Sequence, residues 1–174
     1  MGLVQEVLDQ FGKDVVAQAK KNLDKKDTGA LEKSIGYTSK ESKNSFEFSI
    51  EMEAYGNFVD KGVKGVTSSA KAPTSPFKFG TGTGKKGGLR QAIDGWVRRK
   101  KFQFRKPNGQ FMSYESTALL VTRSIWHKGL ETTNFLTNAF NKEFAELPDE
   151  IIEACGLNGD TFLTSSLRNN SKNV

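Results

Sequence analysis

The chain has 174 residues, which suits one domain of ordinary size, and 26 Lys and Arg against 20 Asp and Glu give a net charge of +6. Only 36% of the residues are hydrophobic and the mean hydropathy is −0.54, so much of the chain must be exposed or irregular. No stretch reaches the roughly 18 apolar residues of a membrane-spanning helix, and the first residues lack the pattern of a secretory signal. One cysteine, Cys155, and one histidine, His127, exclude an internal disulfide and a zinc site that needs several such ligands. We therefore expect a protein of a reducing compartment that has no membrane partner.

The positive charge is concentrated in one segment. Residues 57–106 contain 13 Lys and Arg, with only Asp60 and Asp94 as acids, which gives a local charge of +11. The flanks are mildly acidic, at −2 for residues 1–56 and −3 for residues 107–174. Such a segment attracts polyanions by counterion release, with little sequence selectivity. It equally suits a solvated loop, so both interpretations stay open here.

The first third of the chain predicts a helix and then a β-hairpin. Apolar residues recur at three- and four-residue spacings over residues 2–24, which predicts a long amphipathic helix. Residues 30–35 predict a short turn or the start of a strand. Apolar and polar residues alternate from Ser45 to Met52, which predicts a strand with one buried face. Residues 36–42 are its expected antiparallel partner.

The basic segment predicts a loop, a helix and a small hairpin. Residues 62–88 are rich in Gly, Ser, Thr and Lys and lack periodicity, which predicts a long loop. Helical spacing returns over residues 89–101, with a run of cations at its end. Pro107-Asn108-Gly109 is a strong turn signal within the basic hairpin predicted over residues 98–113.

Two further helices are expected in the last third. Ser116 is predicted to cap the first, which would end at Gly129. Its apolar residues, all predicted to be buried, are Leu119, Leu120, Ile125 and Trp126. Thr132 or Thr133 is predicted to open the second helix, and Pro148 to end or kink it. Its apolar side is predicted to consist of Phe135, Leu136, Ala139, Phe140, Phe144 and Leu147.

These elements predict an α+β fold, in which a long N-terminal helix and two or more further helices pack on a small antiparallel sheet. We expect one domain over residues 1–155, carrying the long loop and the basic hairpin. Residues 156–174 are predicted to form a polar C-terminal extension.

No complete catalytic or ligand-binding set emerges from the residues. Gly82–Gly87 has the G-x-G-x-x-G pattern of dinucleotide-binding loops, but Pro107 stands where an acidic ribose ligand belongs. His127 lies beside Trp126 near a predicted helix end and suits capping or packing. Cys155 suits a small buried apolar residue. We therefore predict no catalytic residue, no cofactor and no metal.

The stretch Arg98–Lys106 places two aromatic residues among six cations. In one interpretation Phe102 and Phe104 stack on nucleic-acid bases while the cations hold phosphates. In the other the two rings fill the core while the charges face water, which strand alternation slightly favours because both rings would then point the same way.

Three segments, taken in order, resemble a known family. They are Thr28–Ile35, with the pattern T-G-x-L-x-x-S-I; Ala54–Gly62, with Y-[AG]-x-[FY]-V-[DE]-x-G; and Arg123–Ala139, with K-G-[IL]-x-x-[TP]-x-[FP]-[FL]. This succession is similar to the tail-completion and head–tail joining (neck) proteins of tailed bacteriophages. In that family the first element follows a helix, the second ends a strand and the third leads into a closing helix. The residues that carry the motifs here are Gly29, Ser34, Tyr55, Gly56, Val59, Gly62, Lys128, Gly129 and Phe135.

The resemblance implies a non-enzymatic subunit of the virion neck or tail, assembled in the host cytoplasm. Its implied partners are further copies in a homo-oligomeric ring, the portal or adaptor ring, the tail tube or hub, and transiently the packaged DNA. Because the local charge is +11, candidate contacts with DNA in the lumen or with a neighbouring subunit are Lys85, Lys86, Arg90, Arg98, Arg99, Lys100, Lys101, Arg105 and Lys106.

Two rival functions stay open from the sequence. The first is a basic nucleic-acid-binding protein that acts outside the virion. The second is an enzyme that holds a nucleotide with its Gly-rich loop.

Overall fold

A computed structural model of the chain describes residues 3–23, 27–42, 45–82, 87–147 and 149. Its helices are α1 (Leu3–Asn22), α2 (Ala30–Ser34), α3 (Gly56–Lys61), α4 (Gly88–Arg99), α5 (Tyr114–Lys128) and α6 (Phe135–Ala145). Its strands are β1 (Gly36–Ser42), β2 (Ser45–Glu51), β3 (Val63–Lys64) and β4 (Gly129–Leu130). Two small antiparallel sheets with helices confirm the predicted α+β class.

The chain divides into two compact units. The core unit comprises residues 1–60 and 134–174, and the basic unit comprises residues 61–133. The single domain expected over residues 1–155 stays a prediction, and the extension expected over residues 156–174 lies outside the described residues.

The core unit is built on α1, α6 and the β1–β2 hairpin. The hairpin is paired from Gly36 opposite Glu51 to Ser42 opposite Ser45, so the predicted partner strand is confirmed. The ring of Phe11 on α1 lies 5.4 Å from the rings of both Phe48 and Phe140. The apolar face predicted for the last helix is also confirmed, because its residues belong to this core.

The basic unit is built on α4, α5 and the two-residue strands β3 and β4. Val63 pairs with Leu130, and Lys64 pairs with Gly129 and forms a parallel bridge to Lys78. The predicted long loop therefore starts in a short strand. It is also fixed further along, where the backbone N–H of Thr132 donates to the carbonyl oxygen of Lys71.

The predicted small hairpin is present in a short form. Arg105 and Phe111 form one antiparallel bridge, and the N–H of Met112 donates to the carbonyl oxygen of Phe104. Gly109 has a φ of +82°, as its place in the Pro-Asn-Gly turn requires.

Predictions for α5 were wrong in two respects. The cap is Ser113, whose hydroxyl oxygen accepts from the N–H of Ser116 at 3.1 Å. Leu119, Leu120 and Trp126 are exposed by 47%, 44% and 40% instead of buried. The physical reason is that α5 packs on α4 and buries the small residues Thr117 and Ala118.

Two other helix boundaries differ from the predictions. The last helix begins at Phe135 and not at Thr132 or Thr133, because Asn134 adopts a left-handed conformation just before it. The second motif does not end a strand: β2 stops at Glu51, and the motif forms the short helix α3.

Candidate functional site

The positive charge of the chain belongs to one structural unit. The basic unit contains 15 Lys and Arg against 3 Asp and Glu, which gives a net charge of +12. The core unit contains 11 Lys and Arg against 17 Asp and Glu, which gives −6. The sequence asymmetry is therefore a property of a folded unit, and that unit carries the field that attracts anions.

The predicted basic contacts lie on α4, on the residues that follow it and on the hairpin. Those that the structure describes, all of them exposed, are Arg90, Arg98, Arg99, Lys100, Lys101, Arg105 and Lys106. Lys85 and Lys86 lie outside the described residues.

Two of these arginines are held against aromatic rings. The guanidinium of Arg98 lies 5.6 Å from the ring centre of Tyr114, and that of Arg105 lies 4.6 Å from the ring centre of Phe111. Arg98 also donates from Nε to Oδ2 of Asp94 at 2.8 Å, and this bond raises the pKa of Arg98 above its usual value. Both cations are thus positioned on the surface before any partner binds.

Aromatic side chains form a row in the basic unit. The ring of Phe102 lies 5.8 Å from that of Trp96 and 5.1 Å from that of Phe104. The interpretation in which Phe102 and Phe104 fill the core is wrong, since each is 38% exposed. The rings pack on one another at the surface of the basic unit.

An open groove lies between the hairpin and α5. We call it the apolar groove; it has a volume of about 460 Å³, and its lining residues are Phe104, Arg105, Met112, Leu120, Val121, Ser124 and Ile125. All but two of them are apolar, and Arg105 brings a cation to the lining. The groove was not predicted from the sequence because Leu120 was expected to be buried in the core.

A signal for this groove was present in the sequence. The apolar residues of α5 do not form one stripe, since Leu119, Leu120 and Val121 are consecutive and point to different sides of a helix. Such a helix is either buried all round or leaves an apolar face for a partner. The sequence around α5 does not show whether the helix is buried on all sides or leaves an apolar face exposed.

Residues of the first and second motifs meet inside the core unit. A Cβ placed on Gly56 would lie 2.9 Å from Cδ1 of Leu31 and 2.6 Å from Sδ of Met52, so a larger residue would require these two side chains to move. The hydroxyl of Ser34 donates to the carbonyl oxygen of Leu31 at 2.8 Å. It also accepts from the N–H of Glu53 at 3.0 Å, which joins α2 to the segment before α3.

The core unit also contains four other motif residues, whose conformation or burial is as follows. Gly29 precedes α2 with a φ of +72°. Val59 packs against the core, and Phe135 is buried within it. Tyr55 is exposed in part; its partial burial, followed by the nearby charge of Glu53, raises the pKa of the phenol.

Residues of the second and third motifs meet at Asp60, which is only 2% exposed. Its Oδ1 accepts from the N–H groups of Leu136 at 2.8 Å and Thr137 at 3.1 Å, and its Oδ2 accepts from the hydroxyl of Thr137 at 2.5 Å. The carbonyl oxygen of Asp60 accepts from the N–H of Asn134 at 2.9 Å. Asp60 therefore caps the N-terminus of α6 from a different helix.

The same two motifs also meet inside the basic unit. A Cβ on Gly62 would lie 2.7 Å from the carbonyl oxygen of Leu130, and one on Gly129 would overlap that of Val63. The hydroxyl of Thr132 donates to the carbonyl oxygen of Lys61 at 2.9 Å. The two backbone segments cross so closely that a side chain at either glycine would clash with the opposite backbone.

The end of α5 contributes its backbone to this crossing. The carbonyl oxygen of His127 accepts from the hydroxyl of Thr67 at 3.0 Å. A Cβ on Gly65 would overlap that same oxygen. Lys128, the next motif residue, is exposed. His127 thus joins the structure of the unit through its main chain.

Comparison with protein-family models, with curated proteins and with solved structures gives no significant match. Within the described part of the chain, no three His, Cys, Asp or Glu side chains gather where a metal ion could bind. No helix in the same part is both long and apolar enough to cross a membrane. What the described residues offer is an exposed basic and apolar surface, which can bind a polyanion or a protein partner.

Proposed function

We propose that this chain is a structural virion protein of a tailed bacteriophage. It serves as a head–tail connector, neck or tail-completion subunit, and it forms a ring that joins the portal side to the tail. The observation that carries the proposal is that the second of the three family-like segments contacts both of the others, although all three are distant in sequence. Gly56 packs on Leu31, and Asp60 caps the helix that contains Thr137.

These contacts support the proposal because they give the matched residues defined structural roles. Here the second segment contacts the first in the core unit and contacts the third in both units. The contacts also account for the residue types, since close approach selects glycine and an open helix N-terminus selects an acid.

The exposed apolar residues of the basic unit support a ring. Leu119, Leu120 and Trp126 on α5 and Phe111 on the hairpin are large and exposed. Leu120 lines the apolar groove, and an exposed apolar surface of this kind marks a site of protein association. A head-to-tail contact repeated between identical subunits produces a closed ring when the rotation from one subunit to the next completes a full turn.

The basic surface supports a place next to DNA or next to an acidic neighbour. In a lumen the exposed cations of α4 and the hairpin would counter phosphate charge without reading bases, so the genome could still slide. In a ring the same cations would also suit the core unit of an adjacent subunit, which carries −6.

A second function is favoured by one specific observation. Phe102 and Phe104 are exposed and lie in the sequence among the exposed cations of Arg98–Lys106, a composition that suits a surface that stacks bases and holds phosphates. The alternative is therefore a nucleic-acid-binding protein that acts outside the virion.

Sedimentation velocity across a concentration series, with and without nicked duplex DNA, separates the two functions. The neck proposal expects one discrete oligomer whose mass does not change when DNA is added at physiological salt. A monomer that binds DNA tightly, with an affinity that falls steeply with salt, would contradict the neck proposal and support the nucleic-acid-binding function.

Matched charge variants sharpen this experiment. In the alternative, changing Arg98, Arg99, Lys100 and Lys101 to Gln lowers the salt slope by up to about 0.9 per lost phosphate contact. The control changes four cations of the core unit to Gln and should leave that slope unchanged; they are Lys13, Lys20 and Lys21 of α1 and Lys33 of α2.

A further inference from the structure

We infer that the apolar groove of the basic unit receives residues 149–163 of a neighbouring copy of this chain. The choice of a neighbouring copy rests on the proposed ring, whereas the fit of segment to groove rests on the residues described below.

The groove offers an apolar surface bordered by positive charge. Phe104, Met112 and Leu120 line it, and its volume of about 460 Å³ lies in the range of about 300–1,000 Å³ of pockets that hold ligands. Arg105 lies in its lining. Arg123 is exposed on α5 one helical turn after Leu120, so it stands on the same side of the helix.

Residues 149–163 have the complementary composition. They contain four acids and no Lys or Arg, a net charge of −4 that opposes the +12 of the basic unit. Their apolar residues are Ile151, Ile152, Ala154, Cys155, Leu157, Phe162 and Leu163. An apolar segment with acidic neighbours is the chemistry that an apolar groove with a basic rim selects.

One other stretch of the chain has this composition, but it is already folded. Residues 45–60 also contain four acids and no Lys or Arg. They form β2 and most of α3, where Phe48 and Ile50 are buried in the core. That stretch cannot leave the core unit to fill a groove, which leaves residues 149–163 as the occupant.

The position of the segment in the chain suits a contact between copies. Only Pro148 separates it from Leu147, which is buried in the core, so one end of the segment starts close to a fixed point. Fifteen residues span up to about 50 Å when extended, so the segment is long enough to extend well beyond its own anchor. Each copy then gives one segment and receives one, which is the head-to-tail contact that generates rings.

A peptide titration tests the fit of segment to groove. The probe is a fluorescent peptide of residues 149–163, and the receptor is the full chain with Ile151→Lys and Ile152→Lys, whose own segment cannot compete. We expect saturable binding that weakens with salt and becomes at least tenfold weaker when Leu120→Glu is added. Val66→Glu, at an equally exposed apolar site outside the groove lining, is the matched control and should change nothing. Failure to bind, or equal loss with both changes, overturns the inference.

Mixing two defective chains tests whether the segment crosses to a neighbour. Leu120→Glu removes the groove and keeps the segment, whereas Ile151→Lys with Ile152→Lys does the reverse. Each alone should be monomeric by sedimentation, and an equimolar mixture should give a dimer, since one intact groove meets one intact segment. A mixture that stays monomeric overturns the inference even if the peptide binds.

The inference and the proposed function can fail separately. Wild-type rings that persist in the Leu120→Glu chain would overturn the inference and leave the ring standing. Dimers in the mixture without any closed ring of the wild type would support the segment contact and overturn the ring.

Discussion

The carboxylate of Asp60 accepts hydrogen bonds from both the backbone N–H and the hydroxyl of Thr137, which lies 77 residues further along the chain. Asn134, at the usual capping position of α6, makes no side-chain cap. A residue of α3 thus satisfies N–H groups that the helix leaves unpaired, and its negative charge suits the helix dipole. The relationship joins two of the three family-like segments through one buried side chain.

Replacing Asp60 should therefore destabilise the protein. Asp60→Ala leaves two N–H groups and a hydroxyl without their acceptor, and we expect a loss of about 1–3 kcal/mol in the free energy of unfolding. Asp60→Asn keeps one acceptor oxygen and should lose less. Urea denaturation measures both changes. The control is Asp94→Asn, which removes an exposed ion pair with Arg98 and should hardly move the midpoint. Equal midpoints for Asp60→Ala and wild type would contradict this role.

The crossing of β3 and β4 should not tolerate a side chain. Gly65→Ala and Gly129→Ala each place a methyl group onto a backbone carbonyl oxygen, and Gly129 also has a φ of +86°. We expect each to cost about 1–3 kcal/mol or more, because main-chain atoms cannot rotate away.

Gly36→Ala is the matched control for these variants. Gly36 lies in β1, and a Cβ there meets no atom within 4 Å. Thermal unfolding followed by circular dichroism compares the three. Melting temperatures of the Gly65 and Gly129 variants that match that of Gly36→Ala would contradict the close crossing.

The aromatic centre of the core unit should dominate its stability. Phe140 is fully buried and its ring lies 5.4 Å from that of Phe11 and 5.8 Å from that of Phe144. Phe140→Ala removes these contacts and leaves a cavity, so we expect a loss of about 3–5 kcal/mol. Val66→Ala truncates an exposed side chain and should change the free energy of unfolding little. Chemical denaturation of the two variants at one protein concentration checks the contrast, and similar losses in both would count against it.

Elements with a local signal could be predicted from the sequence. The long α1 and the β1–β2 hairpin follow from periodicities of about three and a half and of two residues, and the core face of α6 follows in the same way. The cap of α5 could not be chosen, since Ser113 and Ser116 are equally good capping residues. The cap of α6 is Asp60 of α3, which is distant in the sequence, so the residues next to α6 do not predict it.

The candidate site was predictable in its charge but not in its shape. The cations of α4 and the hairpin are exposed, as a run of Lys and Arg in a sequence suggests. The apolar groove depends on which side of α5 packs against α4, and that side could not be predicted from the sequence. Small Thr117 and Ala118 face the packed side, which leaves Leu119 and Leu120 outside.

The phenol of Tyr55 should lose its proton later than an ordinary tyrosine. Partial burial raises its pKa above the usual 10.0, and the charge of Glu53 adds to this. The folded state therefore favours the neutral phenol. That contribution to stability is present below pH 10 and is lost as the pH rises through the raised value. The difference in phenolate absorbance between wild type and Tyr55→Phe measures the titration. A midpoint at or below the usual value would contradict the partial burial of Tyr55.

Electron microscopy of the purified full-length protein, imaged across a concentration series, tests the proposed function most directly. The proposal predicts closed rings of one copy number with a central opening that admits a DNA duplex, because head-to-tail contacts between identical subunits end only when the circle closes. Monomers at every concentration, or filaments that never close into rings, would contradict the proposal.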